Sequence, residues 1–112
     1  MDLLIDTNVL LDVILQREPF ENFSGMIFKM CVTRECRGIV AAHSFTDMFY
    51  LLRKHFSQKD LRKLLLNLLD YFEVSSLDKQ KLLGALHRPE FSDFEDCLQD
   101  ECAAELNADY II

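Results

Sequence analysis

Leu3-Leu4-Ile5-Asp6-Thr7-Asn8-Val9-Leu10-Leu11 decides the fold, because the chain changes character twice within it. The apolar run suits a short buried strand, and Asp6-Thr7-Asn8 then offers helix-capping residue types in succession. From Val9 to Gln16 the residues are apolar on most sides of a helix, which predicts a largely buried one. The same transition recurs at Gly38-Ile39-Val40-Ala41-Ala42, a strand of small and β-branched residues that leads straight into a helix.

Between these two starts, Pro19 restarts the chain, and Phe20, Phe23, Ile27 and Met30 or Cys31 follow at helical spacing to about Glu35. The third helix carries Phe45, Met48, Phe49, Leu52 and Phe56 on its core side. Ser57 caps a fourth, in which Leu61, Leu64, Leu65, Leu68 and Leu69 form one apolar face. Phe72-Glu73-Val74-Ser75 is the third strand, and Asp78 to His87 a fifth helix stopped by Pro89. Ser92 and Glu95 make a capping box for a sixth helix from about Asp93 to Leu106, and Asp109-Tyr110-Ile111-Ile112 opens a fourth strand. Strands alternating with helices predict a parallel sheet covered on both faces, since parallel neighbours need crossover connections. The fold class is therefore α/β, in three α/β/α layers around a short parallel sheet of at least four strands.

The chain has 112 residues, enough for one domain, and half of them are hydrophobic, so a core forms and disorder is excluded. Its formal charge of -7 is uneven. Up to Arg88 there are twelve Lys and Arg against eleven Asp and Glu; from Pro89 onward there are eight acids and no Lys or Arg. That balance argues against a non-specific nucleic-acid coat, though not against nucleic acid held through metal ions. The first six residues carry two carboxylates and no basic lead, so no signal peptide is expected, and no apolar run is long enough to span a bilayer. Cys31 and Cys36, and Cys97 and Cys102, form two C-x4-C pairs in expected helices. Five positions rotate a helix face by about 140°, so each pair diverges, which suits reduced buried thiols in a cytoplasmic protein better than zinc ligands.

In open parallel sheets, chemistry gathers at the carboxyl ends of the strands. Asp6 follows the first strand, Asp47 stands in the first turns of the helix after the second, and Asp93 and Asp96 open the sixth helix. Carboxylates without basic neighbours repel one another unless a cation sits among them, and hard divalent ions such as Mg²⁺ or Mn²⁺ prefer oxygen ligands and bridge to phosphate. This is the donor set for metal-assisted phosphodiester hydrolysis. Each acid also has a plainer reading: Asp6 as a cap, Asp47 as a solvated helix residue, Asp93 and Asp96 as partners of the helix dipole. Glu90, Glu95, Asp100, Glu101 and Glu105 read as solvated faces or caps.

Leu4-Ile5-Asp6-Thr7-Asn8-Val9-Leu10-Leu11-Asp12 with Arg17-Glu18-Pro19-Phe20 resembles the opening of a PIN domain, near the bacterial VapC-type branch. Ala42-His43-Ser44-Phe45-Thr46-Asp47-Met48-Phe49-Tyr50 through Lys54 resembles that branch's second motif. Asp93-Phe94-Glu95-Asp96-Cys97-Leu98-Gln99, with Ala103-Ala104 and Ala108 to Ile112, resembles its third. The resemblance implies a Mg²⁺- or Mn²⁺-dependent ribonuclease, often the toxin of a toxin–antitoxin pair. By position Asp6, Asp47 and Asp96 bind metal, Asp93 joins them as a catalytic candidate, and Thr7 and Asn8 support the first Asp from behind. At the second position the family more often has Glu, one methylene longer than Asp47. The family also continues past the fourth strand with a further polar motif, a helix and a strand, so residues 1–112 are expected to form a single PIN-like domain that is short at its C-terminus.

His43 stands four residues ahead of Asp47 as a candidate substrate contact, with a hydrogen-bonded histidine as the alternative. Arg53 and Lys54, with Lys59, Arg62 and Lys63, are the local candidates for RNA backbone contact. The expected partners are an RNA substrate, an antitoxin protein and a second copy of the chain, and no membrane. A catalytically inactive PIN-like module that only binds protein is the rival reading. A phosphate-transfer enzyme of the haloacid-dehalogenase type, which starts with a strand and D-x-D, is disfavoured by Asn8 at the second acidic position.

Overall fold

A computed structural model describes residues 1–88 and 93–112. The elements alternate from the start: β1 (Asp2–Leu4), α1 (Thr7–Ile14), α2 (Glu21–Val32), β2 (Arg37–Ala41), α3 (Ala42–Leu52) and α4 (Gln58–Tyr71). They continue with β3 (Phe72–Ser75), α5 (Lys79–Leu86), α6 (Phe94–Glu105) and β4 (Tyr110–Ile111). All neighbouring strands run parallel, in the order β3-β2-β1-β4.

The period-two alternation of the central strands assigns the helices to two sides. Leu3, Ile5 and Val40 point into a core shared with Leu10, Leu11, Cys31, Met48, Leu52, Leu61, Leu68 and Phe72, contributed by α1 to α4 and β3. Leu4, Ile39 and Ala41 point the other way, onto Cys102 and Ala103 of α6. A smaller cluster of Ala85, Cys97 and Leu98 joins α5 to α6. The result is the expected three-layer α/β/α arrangement.

Several local expectations shift. The second helix stops at Val32 and not near Glu35; Arg34, at φ 68°, turns the chain toward β2 and leaves Cys36 outside the helix. The third helix ends at Leu52, so Phe56 packs on the core from the loop beyond it. Leu69 lies on the α4 face but is half exposed, because the core contact of α4 centres on Leu61 and Leu68. The fifth helix, expected from Asp78 to His87, runs from Lys79 to Leu86 with Asp78 as its cap through the Lys81 amide, whereas Pro89, Glu90 and Ser92 lie outside the described residues. The cap of α6 is Asp93, whose Oδ1 accepts from the amides of Glu95 at 2.8 Å and Asp96 at 3.2 Å. The four cysteines are buried, and Cys97 and Cys102 do point into different clusters.

Candidate functional site

Parallel strands deliver their following loops to one end of the sheet. There Asp6 leaves β1, Asp47 rises in the second turn of α3, and α6 begins with Asp93. A cleft of ≈ 370 Å³ is lined by Asp6, Asp47, Asp93, Glu95 and Asp96, with Thr7, Asn8, Leu11, Tyr50 and Leu51. All four acids singled out in the sequence thus reach one cleft, and no Lys or Arg is among the described residues that line it.

Capping and cleft-lining prove compatible. Asp6 caps α1, its Oδ2 accepting from the Asn8 amide at 3.2 Å, while its side chain faces the cleft. The Asn8 carbonyl accepts from Arg17 Nη2 at 3.2 Å, Arg17 Nε lies 2.9 Å from Asp12, and Asp12 accepts the Ser24 hydroxyl at 3.0 Å. This chain of contacts ties the turn carrying Asp6 to α2. Thr7 lines the cleft, but its buried hydroxyl donates to Ser44 Oγ at 2.7 Å, which pins α1 to α3 and does not support Asp6 directly.

Glu95 is the acid that sequence reasoning placed on a solvated face. It hydrogen-bonds Asp47, and that contact, then burial and the charges of Asp47, Asp6 and Asp93, push its carboxyl up from 4.5 to about 7. The acids of the cleft thus stand close enough for Glu95 to feel their charge.

His43 is not a lining residue. Its ring is mostly buried, neither nitrogen has a hydrogen-bond partner among the described residues, and Nε2 lies 3.9 Å from Glu95 Oε1. Burial lowers its pKa from 6.5, and the negative charges of Asp47 and Asp6 oppose that shift. Arg53 and Lys54 also lie outside the lining; Arg53 packs on Tyr50, which is on it. On the far side of Asp6 and Asp96 a second cleft of ≈ 360 Å³ is lined by Gln99, Asp100, Ile111 and Ile112 as well. The Gln99 amide is fully buried there, with no hydrogen-bond partner among the described residues.

The acids supply hard oxygen donors suited to a divalent cation. Among the described residues no three His, Cys, Asp or Glu side chains already close on a single point at ligand spacing. The fit thus lies in the donor chemistry: five carboxyl groups with no opposing Lys or Arg among the described residues that line the cleft.

The model of the PIN domain family matches residues 2–112. The chain belongs to the PIN domain family. No curated protein sequence matches it. Among solved structures, this PIN domain is similar to a chain in VapBC2 from Rickettsia felis bound to a DNA fragment from their promoter. The TM-score is 0.68 at 14% identity, over 100% of this chain and 87% of that one. At that identity the likeness establishes the fold alone. Among the described residues, no helix of this PIN domain is long and apolar enough to cross a membrane.

Proposed function

We propose that this PIN domain is a metal-dependent endoribonuclease that hydrolyses RNA phosphodiester bonds as the toxin of a toxin–antitoxin pair. The observation that carries the reading is the convergence of Asp6, Asp47, Asp93, Glu95 and Asp96, from three elements, on one cleft without an opposing base.

Asp6, Asp47 and Asp96 would hold Mg²⁺ or Mn²⁺, with Asp93 beside them. When bound, the ion supplies positive charge at the scissile phosphate and makes water acidic enough to act as a nucleophile at neutral pH. The protein's own part is positional. Asn8 holds the Asp6 carboxylate through its amide, and the Thr7–Ser44 bond fixes α1 against α3, and so Asp6 against Asp47. Asp93 orders the first turn of α6 and aims Glu95 and Asp96 inward.

The Rickettsia felis complex supports an antitoxin as the protein partner. We read the chain as a cytoplasmic protein that pairs with a second copy. A groove of ≈ 510 Å³ between α3, α4 and β3, lined by Phe45, Phe49, Leu65, Leu66, Leu69 and Val74, favours protein contacts of some kind.

Cleavage of a single-stranded RNA in Mn²⁺ tests the nuclease reading. Activity should vanish with a chelator and with Asp6→Asn, and cleavage that survives both overturns it. Calorimetric titration separates the inactive-module reading, which requires no saturable Mn²⁺ binding at millimolar concentration.

A further inference from the structure

Tyr50 stands where the character of the surface reverses. It lines the acid cleft and is 62% exposed, on the face of α3 opposite the fully buried Met48 and Leu52. Directly beyond it come Arg53 and Lys54, followed by Lys59, Arg62 and Lys63 of α4. The Arg53 guanidinium lies over the Tyr50 ring, 3.7 Å from its centroid, and donates to the Tyr50 carbonyl.

That packing does two things. It covers one face of the ring and restrains its side chain, and it leaves a positive charge behind the aromatic surface. A flat, restrained, open aromatic face backed by a cation is what an unstacked nucleobase stacks on, and stacking of this kind is indifferent to base identity. Bases inside a duplex already stack on their neighbours and present no free face. The charge layout agrees: a phosphate beyond Tyr50 would meet Arg53, and one over the cleft would meet the cation that the carboxylates are suited to hold.

We infer that Tyr50, held by Arg53, is a base-stacking platform that seats one nucleotide of single-stranded RNA at the lip of the acid cleft. This deepens the nuclease reading and rests on it for the identity of the substrate. Tyr50 is a positioning residue, since it holds a base and takes no part in bond breaking.

The chain contains no tryptophan, so Tyr50→Trp introduces a single fluorophore at the platform. Titration of that variant with a short single-stranded RNA should quench its emission, and the same RNA annealed to its complement should not. In Mn²⁺ cleavage assays Tyr50→Ala should raise KM roughly tenfold with kcat little changed, as loss of one stacking contact predicts. Tyr50→Phe should restore KM, and Tyr71→Ala, an exposed aromatic away from the cleft, should leave it unaltered. Calorimetric Mn²⁺ affinity should be the same in Tyr50→Ala as in the parent, which also reports that the variant is folded. Quenching by duplex as strong as by single strand, or an unchanged KM in Tyr50→Ala, overturns the platform while leaving the nuclease intact. Quenching without cleavage in any metal overturns the nuclease and leaves the platform standing. No quenching by either RNA overturns the platform outright.

Discussion

Glu95 of α6 and Asp47 of α3 share a hydrogen bond across the cleft, joining two carboxyl groups that would otherwise repel. That contact, more than burial, is what favours the protonated form of Glu95. The folded-state pKa of Glu95 is raised from 4.5 to about 7. Between those values the folded state binds more protons than the unfolded one, so the contribution to stability is complete below 4.5 and lost as pH rises through about 7. In metal-free buffer the melting temperature of the parent should therefore fall, relative to Glu95→Gln, between pH 5 and pH 8. A difference between the two proteins that stays constant with pH in calorimetry contradicts this.

The Thr7–Ser44 hydroxyl pair is buried and links α1 to α3. Replacing one partner strands the other. Thr7→Val should cost about 1–3 kcal/mol, the desolvation penalty of a lone buried hydroxyl. Adding Ser44→Ala to Thr7→Val should cost less than the two single changes summed, and denaturant titration of all four proteins measures the coupling.

Gly38 has no side chain because β2 leaves no room for one. A Cβ there would lie 2.6 Å from Phe72 Cδ1 and 2.9 Å from Cys31 Sγ, both of them buried. Neither neighbour is the free end of a flexible chain. Gly38→Ala should therefore destabilise by about 1–3 kcal/mol through overpacking, despite the better strand propensity of Ala. Chemical denaturation gives the value, and Gly38→Ala combined with Phe72→Leu should recover part of it.

Lys81 is a cation inside the protein. Its Nζ donates to Ser75 Oγ at 3.1 Å, to the Ser76 carbonyl and to Glu105 at 3.0 Å, joining the end of β3 to the last turn of α6. Lys81→Ala should cost near the lower end of the about 3–5 kcal/mol typical of broken buried pairs, because Glu105 is half exposed and regains water. Lys81→Met keeps the apolar stem and should lose less. Thermal melts of both variants check the order.

The order of elements was legible because strands and helices here differ in period and are punctuated by caps such as Asp6 and Ser57. The meeting of Asp6, Asp47, Asp93 and Asp96 at one end of the sheet was legible because a parallel sheet sends such segments there, while spacing left each a plainer role and the motif resemblance singled them out. Glu95 was not, and the reason is one residue of phase. A cap at Ser92 places Glu95 at the third helical position, turned back toward the chain start; a cap at Asp93 makes it the second, rotated by about 100°. The bonding of Thr7 was hidden because Ser44 lies 37 residues away. The exposure of Leu69 depends on where α4 meets the core, at Leu61 and Leu68, which periodicity alone does not specify.

The four buried thiols give the fold a set of internal clocks. Burial, with Cys36 beside it, pushes Cys31 up to about 11, so while folded it is inert toward alkylating reagents near neutral pH. Cys31 and Cys36 belong to the cluster under α1 to α4, Cys102 to the opposite face of the sheet, and Cys97 to the seam between α5 and α6. Their labelling rates under native conditions would time the opening of each layer separately. The rate at Cys97, one residue past Asp96, would time the helix that, with its cap, carries three of the five cleft acids.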